Sequence, residues 1–393
     1  MPVRPAEHTG ARVARNRVLR HLTQQGLANR AHVSASLISK VERGTAPATA
    51  AFLGAVARAL AVSVNELTGQ PYIEELRADQ IDQLIQPIRE ALDVYDLGPD
   101  PEILPRAHAV LADEARKLGE TIRETNLRAA AAALPALIHE TTTAAHLTPS
   151  DAMWRTLAYL YRSAYDIAGK LGYSDLSTTA LDRLDWAAVR ASDPVLASLR
   201  QYFRGQAYLR AAQYNIGKRI VLAGLSTIKQ AEPSLERNVV TGQLHLGAAI
   251  LAARDNRETD VTGHLGEALR IAKITGPAEK VLWCSFGPAN VALHRVAAHS
   301  EMSNFGDAVE AAEGIALDTL PASRVGHHYA DLARAQMWSG KPDAAYLTLR
   351  MARKAAPQQT RYSPLVRQTV EDLASHYRRV PDNFANFAHW IGM

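Results

Sequence analysis

Apolar residues recur along this chain three and four positions apart and almost never alternate, so the pattern predicts helix after helix and no sheet. The sharpest short stretch is Leu22 to Gly44, LTQQGLANRAHVSASLISKVERG. Within it Leu27, Ala31, Val33, Ile38 and Val41 fall at helical spacing and are predicted to face inward. Thr23 is placed to cap a helix running to about Arg30, and Ser34 a second one running to about Glu42. Each hydroxyl can accept from an otherwise unpaired N–H of the first turn. Between them Ala31, His32 and Val33 form a connection of helix-turn-helix length. The outer face of the second helix is left with Ala35, Ser36, Ser39 and Lys40, with Arg43 just beyond. Short donors and acceptors there let a helix sit deep in a major groove, while the cations reach phosphates.

The flanks extend this pair into a small domain. Met1 to about Thr9 reads as a loose basic arm, and Gly10 to Arg20 as a first helix. Its Arg12, Arg15 and Arg17 can reach a DNA backbone or neighbouring helices. Gly44–Pro47 is a predicted loop, after which Thr49 can cap a helix carrying Phe52, Leu53, Val56, Ala57 and Leu60. Ser63 and Glu66 make an S-x-x-E box for a short fifth helix. Gly69–Gln70–Pro71–Tyr72 reads as a hinge. Beyond it Ile73 to Leu97 is a predicted helical stretch with Leu76, Ile81, Leu84, Ile85, Ile88 and Leu92 on one side, bent at Pro87. The resulting division is 1–70 for the helix-turn-helix domain, 71–100 for a linker helix and 101–393 for the remainder.

That remainder carries recurring anchors. Gly205, Tyr208, Ala212, Tyr214, Gly217 and Gly224 occupy small and aromatic positions of a tetratricopeptide-like repeat, and Ala333, Gly340, Ala345, Ala352 and Pro357 do so again. Weaker copies lie around Ala249–Ala268 and Ala297–Pro321, and the four are spaced by about 36–48 residues. Small residues let the two helices of a hairpin approach, and stacked hairpins bury each other's faces. The expected fold is therefore all-α: a five-helix amino domain followed by an α-solenoid.

Charge sharpens the division. Residues 1–70 hold nine Lys/Arg against three Glu, a net +6, and the whole chain is only +4. A basic amino domain on a near-neutral bulk is the footprint of phosphate contact at one end. Cys284 is the only cysteine, which excludes an intramolecular disulfide and a cysteine-rich zinc site. No apolar run approaches the roughly 18–20 residues of a membrane span, and the start lacks a signal-peptide core, so a cytoplasmic protein without membrane attachment is expected. Catalytic signatures are wanting. His139–Glu140 begins a zinc-protease pattern, but Thr143 stands where its second histidine is required, and His146 lies two turns further on. There is no phosphate-cradling loop, dinucleotide fingerprint or nucleophile elbow. His327–His328 reads as a solvated or hydrogen-bonded pair at the start of a repeat helix. No enzyme activity, metal or cofactor is expected.

The pattern L-T-Q-x-x-L-A-x-x-A-x-V-S-x-S-x-I-S-x-[IV]-E-x-G resembles the Cro/repressor-type (XRE) helix-turn-helix. It is carried here by Leu22, Thr23, Gln24, Leu27, Ala28, Ala31, Val33, Ser34, Ser36, Ile38, Ser39, Val41, Glu42 and Gly44. The resemblance implies that Gln24 helps hold a phosphate and that Ala35, Ser36, Ser39 and Lys40 face bases. With Arg17, Thr23, Ser34 and Arg43 these make the expected DNA-binding set. Three positions depart from the family: His32 and Ala61 where Gly is usual, and Gly26 where Glu usually completes a capping box. The first two force a non-glycine residue toward positive φ at about 1–2 kcal/mol each.

Further stretches, among them IREALDVYDLGPDPE from Ile88, KLGYSDL from Lys170, DPVLASLRQYFRGQAYLRAAQY from Asp193 and FGPANVALH from Phe286, resemble actinobacterial XRE regulators with tetratricopeptide-like sensor domains. That resemblance implies a homodimer on a pseudo-palindromic double-stranded DNA operator, with a repeat domain that holds a small-molecule or peptide effector. On the concave face of such a stack the candidate contacts are Arg204, Tyr208, His245, Trp283, Phe286, Asn290, His294 and Arg324. The alternative is a repeat-built interaction scaffold whose amino domain has lost DNA affinity through the departures at Gly26, His32 and Ala61.

Overall fold

A computed structural model describes residues 8–377 and 381–393, so most of the basic arm expected at the start lies outside the described residues. Among those residues all regular structure is helical apart from one isolated bridge between Ala278 and Phe286. The amino domain consists of α1 (Thr9–Leu19), α2 (Gln24–Ala31), α3 (Ala35–Glu42), α4 (Ala50–Leu60) and α5 (Val64–Thr68). Four of the five open on the hydroxyls read from the sequence: Thr23, Ser34, Thr49 and Ser63 accept from the amides of Gly26, Leu37, Phe52 and Glu66. Val13, Leu27, Ile38, Val56, Leu60 and Leu67 form a dry centre. His32 and Ala61 adopt the left-handed conformation expected of them, at φ 54° and 52°.

The stretch after the hinge is two helices where one bent helix was expected. α6 (Ile73–Ala78) and α7 (Ile85–Asp93) are separated by a break at Gln80, whose φ is 57°. Pro87 does not cause this break. It sits in the first turn of α7, where its missing N–H costs no helix bond. The apolar side of the stretch is correctly placed: Leu76, Ile81, Ile85, Ile88 and Leu92 are all buried in the large core.

The rest is a stack of helical hairpins. These are α8 (His108–Arg123) with α9 (Leu127–Leu147), α10 (Asp151–Leu171) with α11 (Ser174–Arg190), α12 (Pro194–Arg210) with α13 (Tyr214–Thr227), and α14 (Leu235–Arg254) with α15 (Glu258–Thr275). Then come α16 (Pro288–Glu301) with α17 (Phe305–Ala311), and α18 (Ala322–Trp338) with α19 (Pro342–Ala355). The closing helices are α20 (Pro357–Arg361), α21 (Pro364–His376) and α22 (Asp382–Trp390). The four sequence repeats map onto the last four hairpins. Their small residues are where helices nearly touch: a Cβ on Gly205 would lie 2.5 Å from Val221, and one on Gly217 2.7 Å from Leu251.

Two features place the functional surfaces. Between α15 and α16 the chain makes an irregular excursion over 276–287, with one 3-10 turn at Val281–Trp283, in which Leu282, Trp283 and Ser285 all have positive φ. Cys284 is buried in this excursion. The stack also curls back on itself. α8 touches α18, Arg367 pairs with Glu75 at 2.7 Å, Arg361 pairs with Asp79 at 2.7 Å, and the Tyr362 hydroxyl donates to Asp79.

Candidate nucleic-acid interface

The turn between α2 and α3 presents α3 at the surface. Ile38 and Val41 are buried beneath it, while Ser36, Lys40 and Arg43 are exposed and Ala35 and Ser39 half-exposed. Among the described residues no side-chain hydrogen bond or ion pair is made by Ser36 or Lys40, and Arg43 only folds back onto the Ser39 carbonyl at 3.2 Å. The face is therefore a strip of short polar groups edged by two cations, the shape and chemistry that a major groove admits. Thr23 and Ser34, expected at the interface, spend their hydroxyls on capping. At the start of α2, Thr23 takes the amide of Gly26. The first-turn amides of Gln24 and Gln25 stay open toward an outside acceptor such as phosphate.

Two members of the expected set do something else. Arg17 lies across the domain onto Glu42, with Nε–Oε1 at 2.7 Å and Nη2–Oε2 at 3.0 Å, and also donates to the Leu22 carbonyl at 2.8 Å. Gln24 Nε2 donates to the same carboxylate at 2.7 Å. The Glu42 hydrogen bond lifts Arg17 above its ordinary pKa. This clamp ties α1 and α2 to the end of α3 and fixes its position. It leaves the Arg17 guanidinium engaged with neighbouring helices, the second of the two roles that its place on α1 allowed, and not extended toward a backbone.

The domain is anchored to the repeats from its other sides. Arg58 donates to the Ala212 carbonyl at 2.6 Å, Tyr214 to the Ala50 carbonyl at 3.3 Å, and Asn65 to the Gly172 carbonyl at 3.1 Å. Gln368 donates to the Ala48 carbonyl at 2.8 Å, and the Thr9 amide to Glu371 at 3.1 Å. Gly54 permits this docking, since a Cβ there would sit 2.0 Å from that of Ala212. None of these contacts touches the outer face of α3.

The eight expected effector contacts do not converge. Asn290, His294 and Arg324 belong together: Arg324, after burial, helps push His294 down to about 3, and Asn290 lies one turn away on α16. Trp283 lies under the Arg123 guanidinium, 5.4 Å from its ring centroid. Phe286 is a core residue pressed against Gly242. His245 faces His264 at 3.0 Å between α14 and α15, both held below the usual imidazole pKa chiefly by burial. Arg204 turns to Gln201 at 3.1 Å, and Tyr208 is half-buried on the same helix. Of the histidines weighed as metal ligands, His146 approaches the Tyr95 carbonyl at 3.2 Å, while Glu140 is taken by Arg106 at 2.7 Å. Cations that sequence reasoning missed gather instead toward Arg324: Arg123 and Lys170 lie within its electrostatic reach, Arg162 within that of Arg123 and Arg210 within that of Lys170. They come from α8, α10 and α12, too far apart in the chain for any spacing rule to group them.

Among the described residues no helix is long and apolar enough to cross a membrane. No curated protein and no solved structure matches the chain. Residues 13–67 match the helix-turn-helix family model, so the amino-terminal unit built around α2 and α3 is a DNA-binding domain of XRE type.

Proposed function

We propose that the chain is a sequence-specific transcriptional regulator. In this reading α3 enters the major groove of an operator, and the repeat domain governs when it does so. The observation that carries the reading is the outer face of α3: Ser36, Lys40 and Arg43 are exposed, no contact with the repeats covers them, and the domain bearing them is strongly basic. The left-handed residues that could have marked a degenerate domain support retained function, because His32 and Ala61 close their turns without disturbing the core. A homodimer would set two α3 helices about one duplex turn apart on a pseudo-palindrome. Effector binding in the repeat domain completes the proposal.

The test is a titration of full-length protein against duplexes from its own upstream region at several salt concentrations. Lys40→Ala is expected to weaken binding to all sequences and to lower the salt slope by about one. Ser36→Ala is expected to change preference at one base step. If neither substitution alters operator binding, α3 is not the reading element. Sedimentation of the protein–DNA complex gives the stoichiometry, and one chain per operator would refute the dimer.

A further inference from the structure

The inner helices of the stack crowd five cations around one hollow: Arg123, Arg162, Lys170, Arg210 and Arg324. Lys170 lies within electrostatic reach of Arg123, Arg324 and Arg210, and Arg123 within reach of Arg162 and Arg324. Water enters the space. His327, on the same turn of α18 as Arg324, keeps 55% of its side-chain surface accessible although protein surrounds it, and Arg210 is likewise exposed inside the fold. Two carboxylates face the five cations. Asp166 stands 3.7 Å from Arg162 and within electrostatic reach of Arg123, Lys170 and Arg210, while Asp331, 3.6 Å from His327 and 3.7 Å from Arg334, is within reach of Arg324.

The other partners of these cations are neutral. Arg123 bonds Ser285 Oγ at 2.6 Å, Arg210 bonds the Tyr165 hydroxyl at 2.7 Å, and Lys170 donates to Gln359. The Arg324 guanidinium has no hydrogen bond among the described residues, and its Nε is sealed from water. Burial and then neighbouring arginines depress Lys170 to about 8, and burial with Arg162 depresses Arg123 to about 10. Like charges held together out of bulk water disfavour the folded state unless an anion joins them.

The position of the hollow gives it an outlet. Lys170 lies in the last turn of α10, and two residues on the Gly172 carbonyl receives Asn65 of the amino domain. Arg210 ends α12, and two residues on the Ala212 carbonyl receives Arg58. We propose that this hollow binds a compact, multiply charged anion bearing phosphoryl or carboxylate groups, gripped by Lys170, Arg210 and Arg324, and that its occupancy resets the docking of the DNA-binding domain through these two turns. The binding site stands independently of the regulator reading, whereas the coupling rests on it.

Full-length protein is titrated by calorimetry and thermal melting with pyrophosphate and, separately, with citrate at matched ionic strength. One saturable site per chain and a raised melting midpoint are expected, with the tighter probe identifying the phosphoryl or the carboxylate class. Arg324→Met is expected to raise the midpoint without probe, by removing one of five crowded like charges that has no hydrogen bond of its own, and to weaken probe binding by about tenfold or more. Lys170→Met should weaken binding likewise, Arg324→Lys should retain most of it, and Lys273→Met, on the exposed side of α15, should change neither quantity. The binding site is overturned if neither probe saturates, or if Arg324→Met and Lys170→Met bind as the parent does. Operator affinity is then measured with and without the tighter probe, and a change of about threefold or more that vanishes in Arg324→Met is expected. A seated anion with unchanged operator affinity overturns the coupling. A seated anion on a protein that ignores all DNA overturns the regulator reading and leaves the site intact.

Discussion

Removing the Glu42 carboxylate tests how the recognition helix is held. It accepts from Arg17 Nε at 2.7 Å, Arg17 Nη2 at 3.0 Å and Gln24 Nε2 at 2.7 Å. The Glu42 side chain is 7% exposed and that of Arg17 15%. In Glu42→Ala, Arg17 keeps only the Leu22 carbonyl for a guanidinium that is mostly out of water. Breaking a fully buried pair costs about 3–5 kcal/mol, and the residual access of Arg17 places this case lower, at about 2–3 kcal/mol. At about 1.4 kcal/mol per tenfold, the opening equilibrium rises about 30- to 150-fold. Native-state hydrogen exchange on the full chain reads this directly in the amides of α2 and α3. Replacing both partners, as Arg17→Met with Glu42→Leu, should cost about 1 kcal/mol, because no orphaned charge remains. The reasoning fails if Arg17→Met leaves exchange over 24–42 unchanged yet lowers the salt slope of operator binding by about one. Arg17 would then be a phosphate ligand and its bond to Glu42 incidental.

Three further outcomes are expected from the same geometry. Ala61→Gly should stabilise the amino domain by about 1 kcal/mol, because Ala61 closes α4 at φ 52°, and thermal melting measures the gain. Gly54→Val should undock that domain, since the new side chain meets Ala212, and exchange should rise over 50–68 and 211–214 while the repeats stay protected. Burial pushes the Asp372 carboxyl up to about 7 against the pull of the Trp338 indole donor. The folded chain then holds a proton that the unfolded chain, with an ordinary carboxyl near 3.8, gives up. Stability is favoured at low pH and falls as pH rises through that interval, and Asp372→Asn should flatten that part of the stability–pH curve.

The amino domain was legible because its determinants are local. A capping hydroxyl at Thr23, Ser34, Thr49 or Ser63 declares a helix start within three residues, and Leu27, Ile38 and Val41 declare the buried side. The late repeats were legible through their small residues, and the two earliest hairpins were not. α9 and α10 each run 21 residues and pack with larger side chains, so no anchor pattern marks them. What failed was long-range. Arg17 shares no spacing with Glu42, and only the folded domain shows that a cation on the first helix is consumed at the end of the third. Phe286 and His245 were assigned to a concave face because they sit on or near first helices of hairpins. The excursion over 276–287 turns Phe286 into the core, and α15 covers His245. Conversely, Lys170, Arg210 and Arg324 reach one hollow only because the stack bends until α8 meets α18.

The grip of α21 on the amino domain, through Gln368 and Glu371, has a bearing on how the molecule is born. A ribosome releases α1 to α5 before the repeats, and their core is built from their own side chains. The surfaces that receive them on α10, α12 and α21 emerge in turn, α21 last. A nascent chain thus displays a finished reading head long before anything restrains it, and a message cut short ahead of α21 would yield a protein whose head is tethered but never fully seated.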